Sequence, residues 1–157
     1  MKPSDLINTA EHLLKIGNGR PRQSDLQRSV STIYYALFHS LARCCADSLI
    51  GTTKAAQNSQ AWLQVYRHLS HTYARTQCKS SKIFDEFPQG VQEFACLFVS
   101  MQVKRNIADY DPLHVPVRAA IQNDLASARA AIAALDRASP MARTAFSAWV
   151  LLKVRDS

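Results

Sequence analysis

The chain has 157 residues, enough for one domain with a full hydrophobic core. Apolar residues make up 47%, which excludes disorder by composition, and only four glycines beside abundant alanine favour helices over a turn-rich sheet. Lys and Arg number 19 against 12 acids, and the net charge of +7 points to a polyanion partner, RNA foremost, unless it serves only solubility.

In chain order, Ser4 and Asp5 can cap a first helix with Leu6, Ala10, Leu13 and Leu14 on one face. Gly17-Asn18-Gly19-Arg20-Pro21 stops it. Ser24-Asp25 opens a longer second helix that runs to about Leu49. A polar loop over 50–59 follows, then a third helix over 60–75 and a second loop over 76–87. Pro88 suits the first turn of a fourth helix, which carries Val91, Phe94, Ala95, Phe98, Met101 and Gln102 and ends near Ile107. Asp111-Pro112 and Pro116 bracket a short connection. A fifth helix to about Ala138 aligns Val117, Ile121, Leu125, Ala128, Ile132 and Leu135, the spacing of a bundle seam. Ser139-Pro140 breaks it, and a short sixth helix presents Phe146, Trp149 and Val150, either to the core or to a partner. No segment sustains period-two alternation, so the expectation is an all-α, up-and-down bundle of five or six helices. The bundle covers 1–138, and 139–157 form a C-terminal helical tail packing on it or on a partner.

Cys44, Cys45, Cys78 and Cys96 show no C-x-x-C spacing and read as buried thiols in a reducing compartment. No signal peptide and no membrane-length apolar run is visible, so a cytoplasmic protein with no membrane association is expected.

Two strings carry chemistry. On the second helix, Arg28, Ser31, Tyr35, His39 and Arg43 recur at spacings of three, four, four and four, beside an apolar stripe of Val30, Ile33, Tyr34, Leu37 and Leu41. The polar stripe is either a solvated face or one wall of a polyanion site. The late string, Arg105-Asn106-Ile107-Ala108-Asp109-Tyr110, closes an apolar helix with groups that are costly to bury and unnecessary for folding. Together, over residues 24–112, the two strings resemble the HEPN family of small helical bundles, which includes RNA-cleaving toxins and defence effectors.

The resemblance implies that the two helices pack together, bringing Arg28, Ser31, Tyr35 and His39 towards Arg105, and that two such motifs meet across a homodimer. In ribonuclease members of the family an arginine is followed by a polar residue and, four to six residues on, a histidine. Cleavage there is metal-independent and needs an acid–base group for the 2′-hydroxyl and leaving oxygen, with a cation for the charge on phosphorus. By that pattern Arg105 would hold the scissile phosphate, Asn106 would orient it and Tyr110 would donate a hydrogen bond, with Asp109 and Arg43 at its margins. Tyr110 stands in the histidine slot, and His114, beyond Pro112, fits the spacing badly. The Ala-Asp-Tyr variant is similar to a recurring HEPN subgroup. Tyrosine titrates near ~10 and is a weak base at neutral pH. Three readings stand: Tyr110 as a weaker acid in an altered nuclease, a site that binds RNA without cutting, or a polar network in which Arg105 and Asp109 tie helix ends.

Arg67, His71 and Arg75 form a basic ridge on the third helix, either solvated or contacting phosphate. His68 and His71 have no evident third ligand, so no metal is expected, and no phosphate loop or cofactor motif is present. The expectation is an RNA-binding HEPN-like protein, a metal-independent endoribonuclease in a toxin–antitoxin or anti-phage setting, forming a homodimer with an antitoxin or effector as partner. The rival is a non-catalytic HEPN module that dimerises or docks a larger effector. The expected dimer interface uses the second and fourth helices, through Phe94, Phe98 and Met101.

Overall fold

One long helix, Gln23–Leu49, organises the molecule. The computed structural model describes residues 2–155, and among them there are helices and no strands. In chain order these are α1 (Pro3–Gly19), α2 (Gln23–Leu49), α3 (Lys54–Gln57), α4 (Gln60–His68), α5 (His71–Cys78), α6 (Lys82–Glu86), α7 (Gln89–Tyr110), α8 (Arg118–Arg137) and α9 (Pro140–Leu151). Five of the nine, α1, α2, α7, α8 and α9, run twelve residues or more and form the bundle. The two expected loops each hold a short helix, α3 and α6, and the expected third helix is two helices. Helix α2 packs against α1, α4, α7, α8 and α9.

Local chemistry explains the boundaries. Ile16, Gly17 and Asn18 leave helical geometry inside α1, and Gly17, at φ 68°, takes the left-handed conformation in which a Cβ is strained. Ser70 breaks the expected helix over 60–75. Its hydroxyl accepts the Tyr73 amide at 3.2 Å, capping α5 just after α4 has ended at His68. Ser59 caps α4 and Ser139 caps α9 in the same way. At its start α2 uses Asp25, whose carboxylate accepts the Arg22 amide at 3.1 Å.

The core is centred on Tyr34, Phe94, Phe98 and Phe146, all fully enclosed, with Ile33, Leu37, Leu41, Met101 and Leu135 around them. Phe146 of α9 meets Phe94 edge-on, so the C-terminal helix completes the same core as the rest of the bundle. Trp149 beside it donates its indole N–H to the Gln77 carbonyl at 3.0 Å. Phe94, Phe98 and Met101 have no exposed surface and belong to this core, so they are not available to a second copy as the sequence led one to expect. An apolar strip does reach solvent on another face of α7 and beyond it: Val103, Ile107, Tyr110, Leu113 and Val115. Among the described residues no helix is long and apolar enough to cross a membrane.

Phe98 touches the Tyr34 and Phe94 rings in the centre of the core. Phe98→Ala should cost about 3–5 kcal/mol in urea unfolding, whereas Phe84→Ala, at a position 57% exposed, should change stability by no more than about 0.5 kcal/mol. Equal losses at the two positions would contradict this core assignment.

Candidate functional site

Helices α2 and α7 cross where the two chemical strings lie, and they bring part of each string together. Asp109 on α7 accepts the Ser31 hydroxyl of α2 at 2.5 Å and faces the Arg105 guanidinium at 3.7 Å, one helical turn back. Only 13% of the Arg105 side chain is exposed. Its guanidinium lies over the Tyr34 ring at 5.0 Å and the Tyr35 ring at 5.6 Å, a cation held on two aromatic faces. Its buried Nε has no hydrogen-bond partner among the described residues.

Beneath the arginine, α5 supplies a group that spacing within the late string could not reveal. His71 Nδ1 and the Tyr34 hydroxyl share a hydrogen bond of 2.6 Å. Phe38 stacks on the imidazole with centroids 3.9 Å apart, and Tyr35 meets it edge-on. The backbone carbonyl of His71 accepts the Gln102 amide of α7 at 3.2 Å, while the buried Gln102 Oε1 has no partner among the described residues. Burial pushes the Tyr34 phenol up against the opposing pull of Arg105, so it stays protonated. Burial, then the charge of Arg105 and the neighbouring His39, holds the His71 imidazole below its ordinary value. The site thus pairs a guanidinium with a neutral imidazole through one tyrosine ring.

The remaining residues of the two strings lie elsewhere. Asn106 and Tyr110 face solvent, Tyr110 at 75% exposure, and neither side chain has a hydrogen bond among the described residues. Arg28 is exposed near the start of α2. His39 lies one turn beyond Tyr35, where its Nδ1 shares a 2.5 Å hydrogen bond with the Tyr66 hydroxyl of α4. Tyr66 in turn stacks on Trp62. Arg43 is further still, with its Nε 3.8 Å from Asp47. The stripe on α2 is therefore continuous as a helix face and divided among four environments. The ridge of Arg67, His71 and Arg75 is broken by the turn before Ser70, which also places His68 and His71 on different helices. Among the described residues no three His, Cys, Asp or Glu side chains are grouped to hold a metal.

His39 and His71 are both held below the usual imidazole value, with burial the first cause for each. The unfolded chain takes up these protons as pH falls through about 6.5, and the folded chain takes them up only at lower pH. Stability is therefore full above about 6.5 and is lost on acidification below it. Melting curves from pH 7.5 to 5 should show Tm falling, and the fall should be shallower in His71→Gln; an unchanged slope in that variant would contradict the assignment.

Compared with known proteins, the chain matches no family model, no curated protein and no solved structure.

Proposed function

We propose that this protein is an HEPN-like RNA-binding bundle that takes an RNA phosphate at Arg105. The observation that carries this reading is the state of that guanidinium: nearly enclosed, lying on two aromatic rings, with one long ion pair and an unmet buried donor. Guanidinium presents five donors in a fork that matches phosphate oxygens. A buried cation with donors to spare costs stability, and an arriving anion relieves that cost. Tyr35, at the surface beside it, offers a ring for base stacking, and Arg28 and Arg75 add positive charge on neighbouring helices. The protein acts as a homodimer in this reading, and two copies meet through the exposed strip of Val103, Ile107 and Tyr110. That strip is on the same helix as Arg105, so a two-fold interface sets the two sites side by side. Tyr110 then serves the interface.

A second reading adds metal-independent cleavage, and His71 is the observation that favours it. It brings the imidazole that the 105–110 string lacks to the ring that carries Arg105. A histidine kept neutral suits a base for the 2′-hydroxyl, with Arg105 on the phosphorus oxygens.

Fluorescence anisotropy with a short single-stranded RNA tests binding. Arg105→Ala should weaken affinity by about 10- to 100-fold and lower the slope of log affinity against log salt by about one. Arg105→Lys, which keeps the charge, should recover the slope and only part of the affinity. Wild-type affinity in a folded Arg105→Ala protein would reduce the cluster to a strut between α2 and α7. Single-turnover cleavage with chelator present tests the second reading. His71→Gln should lose ~10²–10⁴ in rate with binding intact, and no cleavage by wild type leaves the binding function alone.

Ile107→Asp should convert the dimer to a monomer in sedimentation at micromolar protein, with the melting curve little changed. A wild-type protein that is monomeric at every concentration would remove the dimer from the proposal.

A further inference from the structure

A second concave site lies away from the Arg105 cluster. A cavity of about 900 Å³ opens between α1, α2, α8 and α9, within the size range of small-molecule pockets. Arg43 of α2, which borders it, stands twelve residues along the helix from Ser31, or roughly 18 Å at the rise of an α-helix.

Three guanidiniums from three helices reach this cavity: Arg43, Arg129 of α8 and Arg143 of α9. Each is tethered at one point. Arg43 faces Asp47 at 3.8 Å, Arg129 donates to Glu11 at 2.9 Å, and Arg143 donates to the Asp136 backbone carbonyl at 2.5 Å. The tethers hold the side chains in place and use only part of each fork. About 40% of the Arg43 side chain and 46% of the Arg129 side chain remain exposed, so their other donors are open to a ligand. The two carboxylates of the cavity differ. Asp47 is occupied, accepting from Gln57 at 3.0 Å and from the Trp62 indole at 2.9 Å. The Asp136 carboxylate has no hydrogen bond or ion pair among the described residues and lines the cavity beside Arg143. Ile7, Ile132 and Ala133 add an apolar surface.

The arrangement specifies the ligand's chemistry. One guanidinium fork satisfies a carboxylate, whereas three cations lining one cavity from three helices suit an anion with more oxygens and more charge, a phosphate. Asp136 feels the charges of Arg143 and Arg43 and accepts no hydrogen bond among the described residues, so it can take a donor such as an amino or hydroxyl group, and the apolar surface suits a ring. We propose that this cavity binds a nucleoside phosphate, either as a free nucleotide or as the phosphorylated end of an oligonucleotide.

Titration calorimetry on the full chain tests this with adenosine 5′-monophosphate and guanosine 5′-monophosphate, against adenosine, guanosine and inorganic phosphate. At least one nucleotide should bind with a stoichiometry of one per chain, and its nucleoside should bind at least about tenfold more weakly. Arg129→Ala and Arg143→Ala should each weaken the nucleotide by about tenfold or more. Ala133→Phe, which fills the cavity, should abolish the heat while the melting curve stays cooperative. Arg105→Ala should leave nucleotide binding unchanged, which separates this site from the proposed RNA face. A 5′-phosphorylated trinucleotide that competes with the mononucleotide identifies an RNA end as the source, and one that does not compete identifies a free nucleotide. No heat from either nucleotide at millimolar concentration, equal affinity for nucleoside and nucleotide, or wild-type affinity in folded Arg129→Ala and Ala133→Phe would each overturn the proposal.

Discussion

Tyr34 lies fully enclosed in the middle of α2, and its hydroxyl has to be satisfied there. A hydroxyl buried without a partner costs about 1–3 kcal/mol, a large share of a small domain's stability. His71 meets that need at 2.6 Å, and it can do so because α5 begins afresh at Ser70 and turns its first residue towards α2. The same ring packs on Phe98 and supports Arg105, so it links α2 to α7 as well as to α5. The start of one helix, the packing of another and the position of a cation thus converge on one phenol.

The charges above that ring follow a similar logic. Taking a guanidinium out of water is costly, and the protein offsets the cost in two ways. Two aromatic faces attract the cation, and Asp109 balances its charge while itself held by Ser31. Neither device exhausts the donors of Arg105. The polar cluster therefore braces the α2–α7 crossing and leaves the buried Arg105 Nε without a partner among the described residues.

The fold class and the long helices were legible in the sequence because periodic apolar positions report the core face directly. Val91, Phe94, Phe98 and Met101 on α7, and Ile121, Leu125, Ala128 and Leu135 on α8, are buried as their spacing requires. The break after His68 was legible only as Ser70, a capping residue inside a segment whose composition suits one continuous helix. In the site, the neighbours one turn apart could be read from spacing, as Arg105 and Asp109 show. The hydrogen bond of Ser31 to Asp109 joins two helices, and spacing within either one does not reveal it. His71 was visible only as part of a basic ridge and as half of a His68/His71 pair. Its membership in the cluster depends on a turn between two short helices and on a phenol buried 37 positions earlier, which no local pattern encodes. The stripe on α2 misled in another way. A helix face 16 positions long, from 28 to 43, spans roughly 24 Å, more than one site can use.

The hydrogen bond between Ser31 and Asp109 joins residues 78 positions apart. Closing so long a loop means that the cluster has no local precursor in the chain. Its parts come from α2, α5 and α7, and the core beneath it is completed only by Phe146 near the C-terminus. Synthesis proceeds from the other end. A chain still emerging from the ribosome can form α1 and α2 as a helical pair, but it holds Tyr34 without His71 and Ser31 without Asp109. The Arg105 cluster is therefore among the last features to assemble, and a nascent chain lacks it until the bundle has closed.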